Sequence, residues 1–410
     1  MRRVVITGMG LRTALGHTPA DLFDSLTGGL SAVRGMADWT DILELSSLVA
    51  APITDFNTRE LPRKFRRSMG RVAMFGVASA VDAVRQAGLD DLILSGGRTQ
   101  VVTGSTMGSS EADGEFWEIF FRDRTARGLK STHFFKVMSH TVATNVAMYL
   151  GVRGEAQSTN AACASATQAL GAALDKIRSG RADVVIAGGA DELHVAATMT
   201  FDSMGGGSNG FNDQPTLTPR PFDIRRDGIV VGEGGGMLIL EARDHALARG
   251  ASILAEVLGY GGTSDAVNMA APAAPGMISA MRLALEDAGR MPSDLDYVNA
   301  HATGTPVGDA AEAEALYNLV GDRVPVSSLK GHLGHTLGAC GAIEAIACVQ
   351  AIHSACVPQT LNLEQPDVAA IWLPTSPLKR SLGTVMTTNF AFGGVNTALI
   401  LGAYGGDDGA

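Results

Sequence analysis

The stretch AQSTNAACASATQALGAALDKIRSG, residues 156–180, begins with a strand pattern and continues into a helix pattern. A turn separates the two patterns near Cys163, and Gly180 ends the helix after Lys176 and Arg178 in its last turns. The following segment, ADVVIAGGAD, is apolar enough for a buried strand. A strand, a helix and a second buried strand in succession indicate a layered α/β fold.

The same alternation of patterns continues on both sides of this stretch. Short apolar runs bounded by glycine predict strands, and longer amphipathic runs predict helices. The strand patterns occupy residues 3–7, 100–104, 182–191, 230–242 and 251–262, the start of 295–305, and both arms of 385–402. The helix patterns occupy residues 20–26, 71–87, 276–289, 310–321 and 341–356, and the polar and aromatic stretch ending near residue 135 predicts surface excursions.

The two halves of the chain are alike in composition. No linker, low-complexity segment or obvious internal repeat separates the sequences before and after residue 250. We therefore expect two interlocked α/β halves, residues 1–250 and 251–410, rather than two separable domains.

Length, composition and charge indicate a compact body with no general attraction for polyanions. Of the 410 residues, 46% are apolar and 18% are charged, which suits a large buried core. The net charge of −10 argues against nonspecific binding to nucleic acid or to an anionic membrane. The apolar run at the N-terminus is too short for a signal sequence or a spanning helix, so we expect a cytoplasmic protein.

The four cysteines form no recognisable framework. No C-x-x-C pair occurs among them, so neither a set of disulfides nor a zinc site is indicated. Cys340, Cys348 and Cys356 recur along an apolar helix pattern, spread over one broad face, and are most simply core residues.

Cys163 lies where the strand pattern gives way to the helix pattern. Its sulfur is expected to face free backbone N–H groups and the positive end of the helix dipole. Both lower the pKa of a thiol, which favours a nucleophile. On its position alone, however, a small buried side chain in the core is the better interpretation.

Two histidines and a lysine follow in glycine-rich segments of the second half. His301 ends a strand pattern in NAHATGTPVGD, and strand ends are common places for active-site groups. Lys330 and His335 lie in SSLKGHLGHTLGACGAIE, whose glycines let the backbone approach anionic or carbonyl ligands. His332 and His335 could instead bind a metal, but no third ligand occurs at a suitable spacing, so acyl chemistry is favoured over zinc.

The segment NFAFGGVN, residues 389–396, places two aromatics beside a Gly-Gly bend between two apolar strands. Backbone N–H groups at such a bend can stabilise a bound oxyanion. On the pattern alone, an ordinary β-hairpin with phenylalanines in the core is favoured.

Taken together and in this order, these motifs resemble the elongating β-ketoacyl-acyl carrier protein synthases, condensing enzymes of fatty acid and polyketide synthesis. The resemblance covers essentially the whole chain and rests on ACAS, PRPFDIRRDGIVVGEG, HATGTPVGD, K-x4-H-x2-G and F-x-F-G-G-x-N. It implies a thiolase-like fold of five layers, αβαβα, made of two similar interlocked halves, and usually a dimer. The forms GHTLGACG and NFAFGG look more like ketosynthases of specialised pathways, such as aryl polyene or other type II polyketide systems.

The resemblance implies roles for individual residues. Cys163 is then the nucleophile that accepts the acyl group, and the backbone N–H groups of Cys163 and Phe390 form its oxyanion hole. His301 and His335 bind the malonyl thioester carbonyl and stabilise the enolate left when carbon dioxide departs. Phe390 also matches the family's gating aromatic, with Phe392 beside it.

The resemblance further implies that Lys330 orders the site, and it implies neither a cofactor nor a metal. Buried charges need partners. The expected charge partners of Lys330 are Asp309, Glu312 and Glu344, and the expected hydroxyls that hold the pantetheine arm are Thr303 and Thr305.

An acidic acyl carrier protein, loaded with an acyl or malonyl group, is the implied partner. The family docks its carrier where Lys64 and Arg67 lie, within a basic segment that also contains Arg63. A second docking position that is basic in the family is Gly206 here, which indicates an altered docking surface. Most basic runs of this kind are only solvated helix ends.

Two other classes of function stay open on the sequence. One is a non-catalytic chain-length or scaffold subunit of a ketosynthase heterodimer, against which the set of Cys163, His301, Lys330 and His335 argues. The other is a coenzyme A-dependent thiolase, which the second histidine disfavours because thiolases resemble Cys-His-Cys. A homodimer and a heterodimer with a chain-length subunit both agree with the resemblance.

Overall fold

Strands and helices alternate along the chain. The computed structural model describes residues 1–125 and 127–405. The strands are β1 Val4–Arg12, β2 Arg34–Gly35, β3 Val49–Ala51, β4 Thr99–Gly104, β5 Ala156–Thr159, β6 Val184–Asp191, β7 Val231–Gly232, β8 Gly234–Ala242, β9 Ala255–Ser264, β10 Tyr297–Asn299, β11 Val326–Ser327, β12 Cys356–Val357, β13 Leu378–Lys379, β14 Thr384–Ala391 and β15 Val395–Gly402. The helices are α1 Pro19–Thr27, α2 Arg63–Arg66, α3 Arg71–Ala87, α4 Asp91–Ser95, α5 Ser110–Asp123, α6 Ser131–Val137, α7 Thr141–Leu150, α8 Ser165–Arg178, α9 Val195–Ser203, α10 Arg243–Ala248, α11 Ala274–Asp287, α12 Pro306–Val320, α13 Lys330–Leu333 and α14 Cys340–Ser354.

The main sheet contains one topology twice. Within the described residues it has ten strands in the order β11-β10-β14-β15-β9-β1-β8-β6-β4-β5. In each half the first strand lies at the centre of the sheet and pairs antiparallel with the last strand of that half. The other three strands of each half run parallel to one another. The halves join through a short antiparallel pairing of residues 4–6 with residues 255–257.

Helices and half-sheets stack in five layers. Helix α8 contacts β4, β6 and β9, and α14 contacts β8 and β14, so both helices lie between the two halves of the sheet. Helices α3 and α7 cover the outer face of the first half, and α11 and α12 cover that of the second. The order is αβαβα, and the predicted thiolase-like fold of two similar halves is confirmed.

Small side chains let the two inner helices pack closely. A Cβ added at Gly171 of α8 would lie 2.6 Å from ring atoms of Tyr260 in β9. A Cβ at Gly341 of α14 would lie 2.0 Å from the hydroxyl oxygen of Thr167 in α8. Glycine at these positions is therefore a packing requirement of the inner layer.

The predicted elements agree closely with the observed ones. The helix predicted at 71–87 is α3 with the same bounds, and the strand predicted at 3–7 continues as β1. The stretch ending near residue 135 holds two surface helices, α5 and α6. Cys356 lies beyond α14 in β12, so the three later cysteines do not share one helix face, although all are buried. The boundary at residue 250, between α10 and β9, stays a prediction.

The segment Leu337–Ser354 is long and apolar enough to cross a membrane by length and composition. It comprises α14 and the turn before it, and 78% of it is buried inside the protein. Its apolar character follows from its place between the two half-sheets.

Candidate active site

The parallel strands of the second half bring distant residues to one edge of the sheet. β11, β10 and β14 are parallel neighbours, so their carboxyl ends lie side by side. His301 follows β10, Lys330 and His335 follow β11, and Phe390 lies near the end of β14. All four side chains are buried.

Cys163 reaches the same place from the first half. It lies in a 3-10 turn, Ala162–Ala164, between β5 and α8. The equivalent turn of the second half, Leu337–Ala339, precedes α14. The first residue of each turn has a positive φ, 46° at Ala162 and 52° at Leu337, which costs energy for a residue with a side chain. This strained backbone places Cys163 at the N-terminal end of α8.

Two imidazole rings surround the thiol. The Cys163 sulfur lies 2.8 Å from Nε2 of His335. The rings of His301 and His335 meet edge to face with their centroids 5.1 Å apart. All three side chains line a cavity of about 390 Å³. Residues from both halves of the chain thus meet around one sulfur atom.

A buried ion pair completes the site. Nζ of Lys330 donates to Oε1 of Glu344 at 2.6 Å, the contact expected from the sequence. Burial alone would lower the pKa of Lys330, but the charge and the hydrogen bond of Glu344 outweigh it, and the pKa is raised. Lys330 is therefore a permanent cation inside the protein.

Burial and this cation together set the protonation states around the thiol. Burial lowers the pKa of His301 and of His335 well below the usual range, and Lys330 lowers both further. Burial raises the pKa of the Cys163 thiol to about 12, with Lys330 opposing the shift. The predicted lowering of the thiol pKa is wrong, because the loss of water around the sulfur outweighs the charge of Lys330 and the backbone N–H of Cys163.

Asp309, a predicted partner of Lys330, does not contact it. Its carboxylate accepts the backbone N–H groups of Phe222 at 2.8 Å, Thr303 at 3.0 Å and Gly304 at 3.1 Å. Burial raises the pKa of Asp309 to about 6, although these hydrogen bonds oppose the shift. Asp309 therefore fixes the loop after β10 and does not balance the lysine charge.

Glu312, the third predicted partner of Lys330, also makes other contacts. It accepts the backbone N–H of His301 at 2.8 Å and the hydroxyl of Thr388 at 2.9 Å. Burial raises its pKa to about 7. The charge of Lys330 lowers the pKa of Glu312, and the charge of Glu312 raises the pKa of Lys330. Glu312 therefore interacts electrostatically with Lys330 while its carboxylate accepts hydrogen bonds from other groups.

The two threonines expected to hold a pantetheine arm line the cavity. The hydroxyl oxygens of Thr303 and Thr305 lie 3.2 Å apart. Both residues follow β10, next to His301 in the chain. Hydroxyls at this position can bind the amide groups of an extended ligand in the cavity.

The two phenylalanines of the NFAFGGVN segment differ in burial and in the rings that they contact. Phe390 is buried in β14, and its ring meets the ring of His301 with centroids 6.3 Å apart. Phe392 lies in the turn between β14 and β15, is 41% exposed and stacks on Phe201 of α9. The segment is the hairpin that the pattern favoured, and both rings also line the cavity.

Asp191, at the end of β6, was missed by the sequence analysis. Its carboxylate accepts the N–H of Gly338 at 2.6 Å, the N–H of Thr106 at 2.8 Å and the hydroxyl of Ser105 at 2.7 Å. It thereby ties the loop after β4 to the turn that precedes α14. A carboxylate ending the buried strand pattern ADVVIAGGAD was the available signal.

Asn389 was also missed, although it begins the segment NFAFGGVN. Its Nδ2 donates to Oε2 of Glu344 at 2.7 Å and lies 3.3 Å from Nδ1 of His301 and from Sγ of Cys340. Its Oδ1 accepts the hydroxyl of Thr167. Its contacts come from three other elements of the fold, so no local pattern distinguishes it from an ordinary hairpin asparagine.

The structure does not support the metal site considered from the sequence, with His332 and His335 as ligands. The ring nitrogens of His332 contact two backbone carbonyls, so this histidine is not aimed at the thiol. Instead, the ligand atoms of Cys163, His301 and His335 lie within 4.8 Å of one another. The Lys330 cation, whose charge lowers the pKa of both histidines, disfavours a second positive charge there.

The basic segment expected to dock a carrier protein forms a surface cleft. Arg63 and Lys64 lie in α2, Arg67 follows it, and all three are exposed. A surface cavity of about 370 Å³ is lined by Arg66, Arg67, Lys130, Thr132, His133 and Lys136. Positive side chains from α2 and α6 therefore face one another. Gly206 lines the main cavity beside Met204 and Gly205.

Comparisons with known proteins agree with this geometry. The family described as Beta-ketoacyl synthase, N-terminal domain, matches residues 1–246, and Beta-ketoacyl synthase, C-terminal domain, matches residues 254–364. The chain belongs to the β-ketoacyl synthases.

Relatives of this β-ketoacyl synthase match it over its whole length. It is 35% identical to 3-oxoacyl-[acyl-carrier-protein] synthase 1 of Haemophilus influenzae, with 99% of this chain and 100% of the relative covered. A crystal structure of a β-ketoacyl synthase from Burkholderia phymatum is 42% identical, with a TM-score of 0.95 and coverage of 98% and 100%.

Structures of assemblies are similar as well. The ishigamide ketosynthase/chain length factor has 33% identity and a TM-score of 0.91, with 98% of this chain and 100% of that chain covered. A ketosynthase solved in complex with its type II polyketide acyl-carrier protein has 26% identity and a TM-score of 0.88, with the same coverage.

The raised pKa of the Cys163 thiol predicts how the rate of its alkylation depends on pH. We expect the rate at which iodoacetamide modifies Cys163 to rise about tenfold per pH unit and to keep rising beyond about pH 9, because only the thiolate reacts. Mass spectrometry of the intact protein measures the rate. Cys163→Ser is the control that reports alkylation of the other three, buried cysteines. A plateau below about pH 8 would show a thiol of lowered pKa and contradict the expectation.

Proposed function

We propose that this chain is an elongating β-ketoacyl-acyl carrier protein synthase. It joins an acyl group held on Cys163 to the two-carbon unit of a malonyl-carrier thioester, with loss of carbon dioxide. The observation that carries the proposal is the 2.8 Å contact between the Cys163 sulfur and Nε2 of His335, with His301 beside both in one cavity.

The first step is acyl transfer to Cys163. The sulfur attacks the thioester carbonyl, the bond to the pantetheine sulfur breaks, and the thiol proton passes through His335 to the leaving sulfur. Because burial keeps the thiol neutral at rest, its proton must leave during the attack, and Nε2 of His335 is within reach. The backbone N–H groups of Cys163 and Phe390 stabilise the oxyanion.

The second step is decarboxylation followed by condensation. The bond between the malonyl carboxylate and its neighbouring carbon breaks, carbon dioxide leaves, and the electron pair forms an enolate. His301, whose ring is neutral, donates a hydrogen bond to the enolate oxygen, and His335 donates a second one whenever its Nε2 carries the proton. The enolate carbon then attacks the acyl carbonyl on Cys163, the new carbon–carbon bond forms, and the bond to Cys163 breaks. The thiolate that is released takes up a proton from water through Nε2 of His335.

The cavity entrance supplies the substrate contacts. Thr303 and Thr305 hydrogen-bond the pantetheine arm from the loop after β10. Phe390 is the gating aromatic that the resemblance implies. Phe392, whose ring is partly exposed and stacks on Phe201, lies beside it at the cavity wall. Phe390, packed in β14 against His301, contributes its backbone N–H and holds the histidine ring.

The two other classes of function fit less well. A chain-length or scaffold subunit has no need of Cys163, His301, His335 and Lys330 in one buried constellation. A thiolase has a second cysteine at the reacting atoms, whereas the nearby Cys340 donates to the backbone carbonyl of Cys163 at 3.3 Å and is not among the residues that line the cavity.

The pathway and the location stay predictions. The GHTLGACG and NFAFGG forms, together with the similarity to the ishigamide ketosynthase, support a specialised type II polyketide or polyene pathway over primary fatty acid synthesis. A cytoplasmic location agrees with a carrier-dependent synthase.

We propose an acyl carrier protein as the partner at the basic cleft between α2 and α6. Arg67 lines this cleft, and Lys64 lies in α2, whose Arg66 also lines it. Their positive charge on a protein whose net charge is −10 attracts an acidic partner to this local patch. A similar ketosynthase solved in complex with its acyl-carrier protein supports a carrier protein as the class of partner. At Gly206, the second docking position of the family, no basic side chain is available.

We also propose that the exposed aromatics of α5 and α6 bind a second copy of this chain. Trp117 and Phe121 stack on one another in α5, and Phe134 and Phe135 add exposed rings from the contacting α6. Strand β5 ends the sheet, so its outer backbone groups are free to pair within the described residues. An apolar face of this kind is self-complementary, which suits a symmetric dimer.

We expect Cys163→Ala to abolish the acyl adduct and chain extension while malonyl-carrier decarboxylation continues, because His301, His335 and Lys330 remain. Intact-protein mass spectrometry after incubation with a panel of acyl-carrier thioesters measures the adduct, and product analysis measures extension. Full condensation by the variant would contradict the proposal. If no acyl donor labels the wild-type enzyme, the chain is a scaffold subunit, and turnover with coenzyme A thioesters alone indicates a thiolase.

We expect the double variant Lys64→Glu, Arg67→Glu to raise KM for carrier-bound substrate about tenfold or more, because it reverses the charge that attracts the carrier. The kcat with a small pantetheine thioester is expected to stay unchanged. Arg59→Glu, an exposed charge reversal outside the cleft, is the matched control. Equal KM values for the double variant and the wild type would place docking elsewhere.

We expect the purified chain to be a dimer and the variant Trp117→Ser, Phe121→Ser to be a monomer, since the change removes the stacked pair at the proposed interface. Light scattering after size exclusion measures the mass. Leu43→Ser, which removes an exposed apolar side chain elsewhere, is expected to leave the dimer intact. A monomeric wild type, or a dimer that tolerates the double change, rules out this interface.

A further inference from the structure

We propose that Asn389 is a positioning residue that fixes the tautomer of His301, so that His301 always presents an N–H to the substrate. The inference rests on the proposed function, since it concerns how the second histidine serves decarboxylation. Asn389 itself touches neither the thiol nor the cavity centre, and it acts through the imidazole beside it.

The orientation of the Asn389 amide is determined by Glu344. Oε1 of Glu344 accepts a hydrogen bond from the Lys330 ammonium at 2.6 Å, and Oε2 lies 2.7 Å from the amide. Burial raises the pKa of Glu344, while the charge and the hydrogen bond of Lys330 oppose this rise and favour the carboxylate. A carboxylate oxygen accepts hydrogen bonds and cannot donate them. The amide group facing Glu344 is therefore the NH2 group, because the opposite orientation would place two oxygen atoms in contact.

Thr167 supports the same orientation from the other side. Its hydroxyl donates to Oδ1 of Asn389 from α8, across the inner layer. The amide oxygen thus has a donor and the amide nitrogen has an acceptor. A flip would place the amide oxygen against the Glu344 carboxylate and leave the Thr167 hydroxyl only the role of acceptor. Helices α8 and α14 and strand β14 all contribute to holding this one side chain.

The consequence for His301 follows from its distance to the amide. Nδ1 of His301 lies 3.3 Å from the Asn389 nitrogen, whose second N–H is directed to this atom and to the sulfur of Cys340. Nδ1 must then be the acceptor nitrogen. The ring is neutral, because burial lowers its pKa, so its single proton lies on Nε2.

The two histidines therefore have different roles in proton transfer and hydrogen bonding. His301 is a fixed donor whose Nε2–H can hydrogen-bond the malonyl carbonyl in every cycle. His335 is the exchangeable one, because its Nε2 lies 2.8 Å from the Cys163 sulfur and can take the thiol proton. Lys330 acts on the substrate through this series of contacts: it donates to Glu344, Glu344 orients Asn389, and Asn389 fixes His301.

The experiment combines a spectroscopic readout with a kinetic one. In wild-type enzyme labelled with 15N-histidine, we expect the His301 resonances to show a protonated Nε2 and an unprotonated Nδ1, with the assignment made by their loss in His301→Ala. In Asn389→Asp, the new carboxyl shares a proton with Glu344 and accepts from the histidine, so the proton should move to Nδ1. Malonyl decarboxylation should then fall about 10²-fold, the usual effect of losing one oxyanion donor, while acylation of Cys163 falls much less.

The controls separate this inference from the proposed function and from misfolding. Asn145→Asp puts a carboxylate at a buried asparagine of α7, away from the site, and should decarboxylate normally. A wild type that neither acylates nor decarboxylates refutes the proposed function, whatever the tautomer. A wild-type His301 protonated on Nδ1, or an Asn389→Asp enzyme that decarboxylates at the wild-type rate, overturns the inference. If the Asn389→Asp variant does not fold, the protonation state of His301 in the wild-type spectrum still tests the inference.

Discussion

The ion pair between Lys330 and Glu344 is the interaction on which the rest of the site depends. Both groups are almost completely buried, and removing one partner would leave an unpaired charge in the core at a cost of about 3–5 kcal/mol. Because Lys330 begins α13 and Glu344 lies in α14, their contact fixes the segment between them, which contains His335 and the turn Leu337–Ala339. Burial lowers the pKa of both histidines, Lys330 lowers it further, and Glu344 orients the Asn389 amide.

The two halves of the fold contain equivalent turns, of which one carries the nucleophile and the other a glycine. Cys163 and Gly338 occupy equivalent turns at the start of the two inner helices. At Gly338 a side chain is impossible, since a Cβ there would lie 2.7 Å from both the Asp191 carboxylate and the Thr106 backbone nitrogen. The two copies of one architecture have thus specialised: the first carries the thiol, and the second carries the histidines and the cation.

Sequence patterns predicted the layers and the members of the site better than its contacts. The periodicity of apolar residues predicted the bounds of α3. The order of the motifs predicted that Cys163, His301, Lys330 and His335 form one site. Asp309 contacts backbone N–H groups instead of Lys330, because its partners depend on which groups its helix faces after folding. Local sequence predicted a lowered thiol pKa, whereas burial depends on side chains from both halves. Asn389 had no local signal, because its partners lie in other elements.

The positive field of Lys330 links these features to the chemistry. Glu344 neutralises the lysine at close range, yet the lysine still lowers the pKa of both histidines, so its field reaches the cavity. At rest the cavity then holds a neutral thiol and two neutral rings, which avoids the cost of burying further charge. Negative charge arises there only when an oxyanion or an enolate forms during turnover. A fixed cation and fixed N–H donors stabilise that transient charge more than they stabilise the neutral substrate, which is the condition for lowering the barrier.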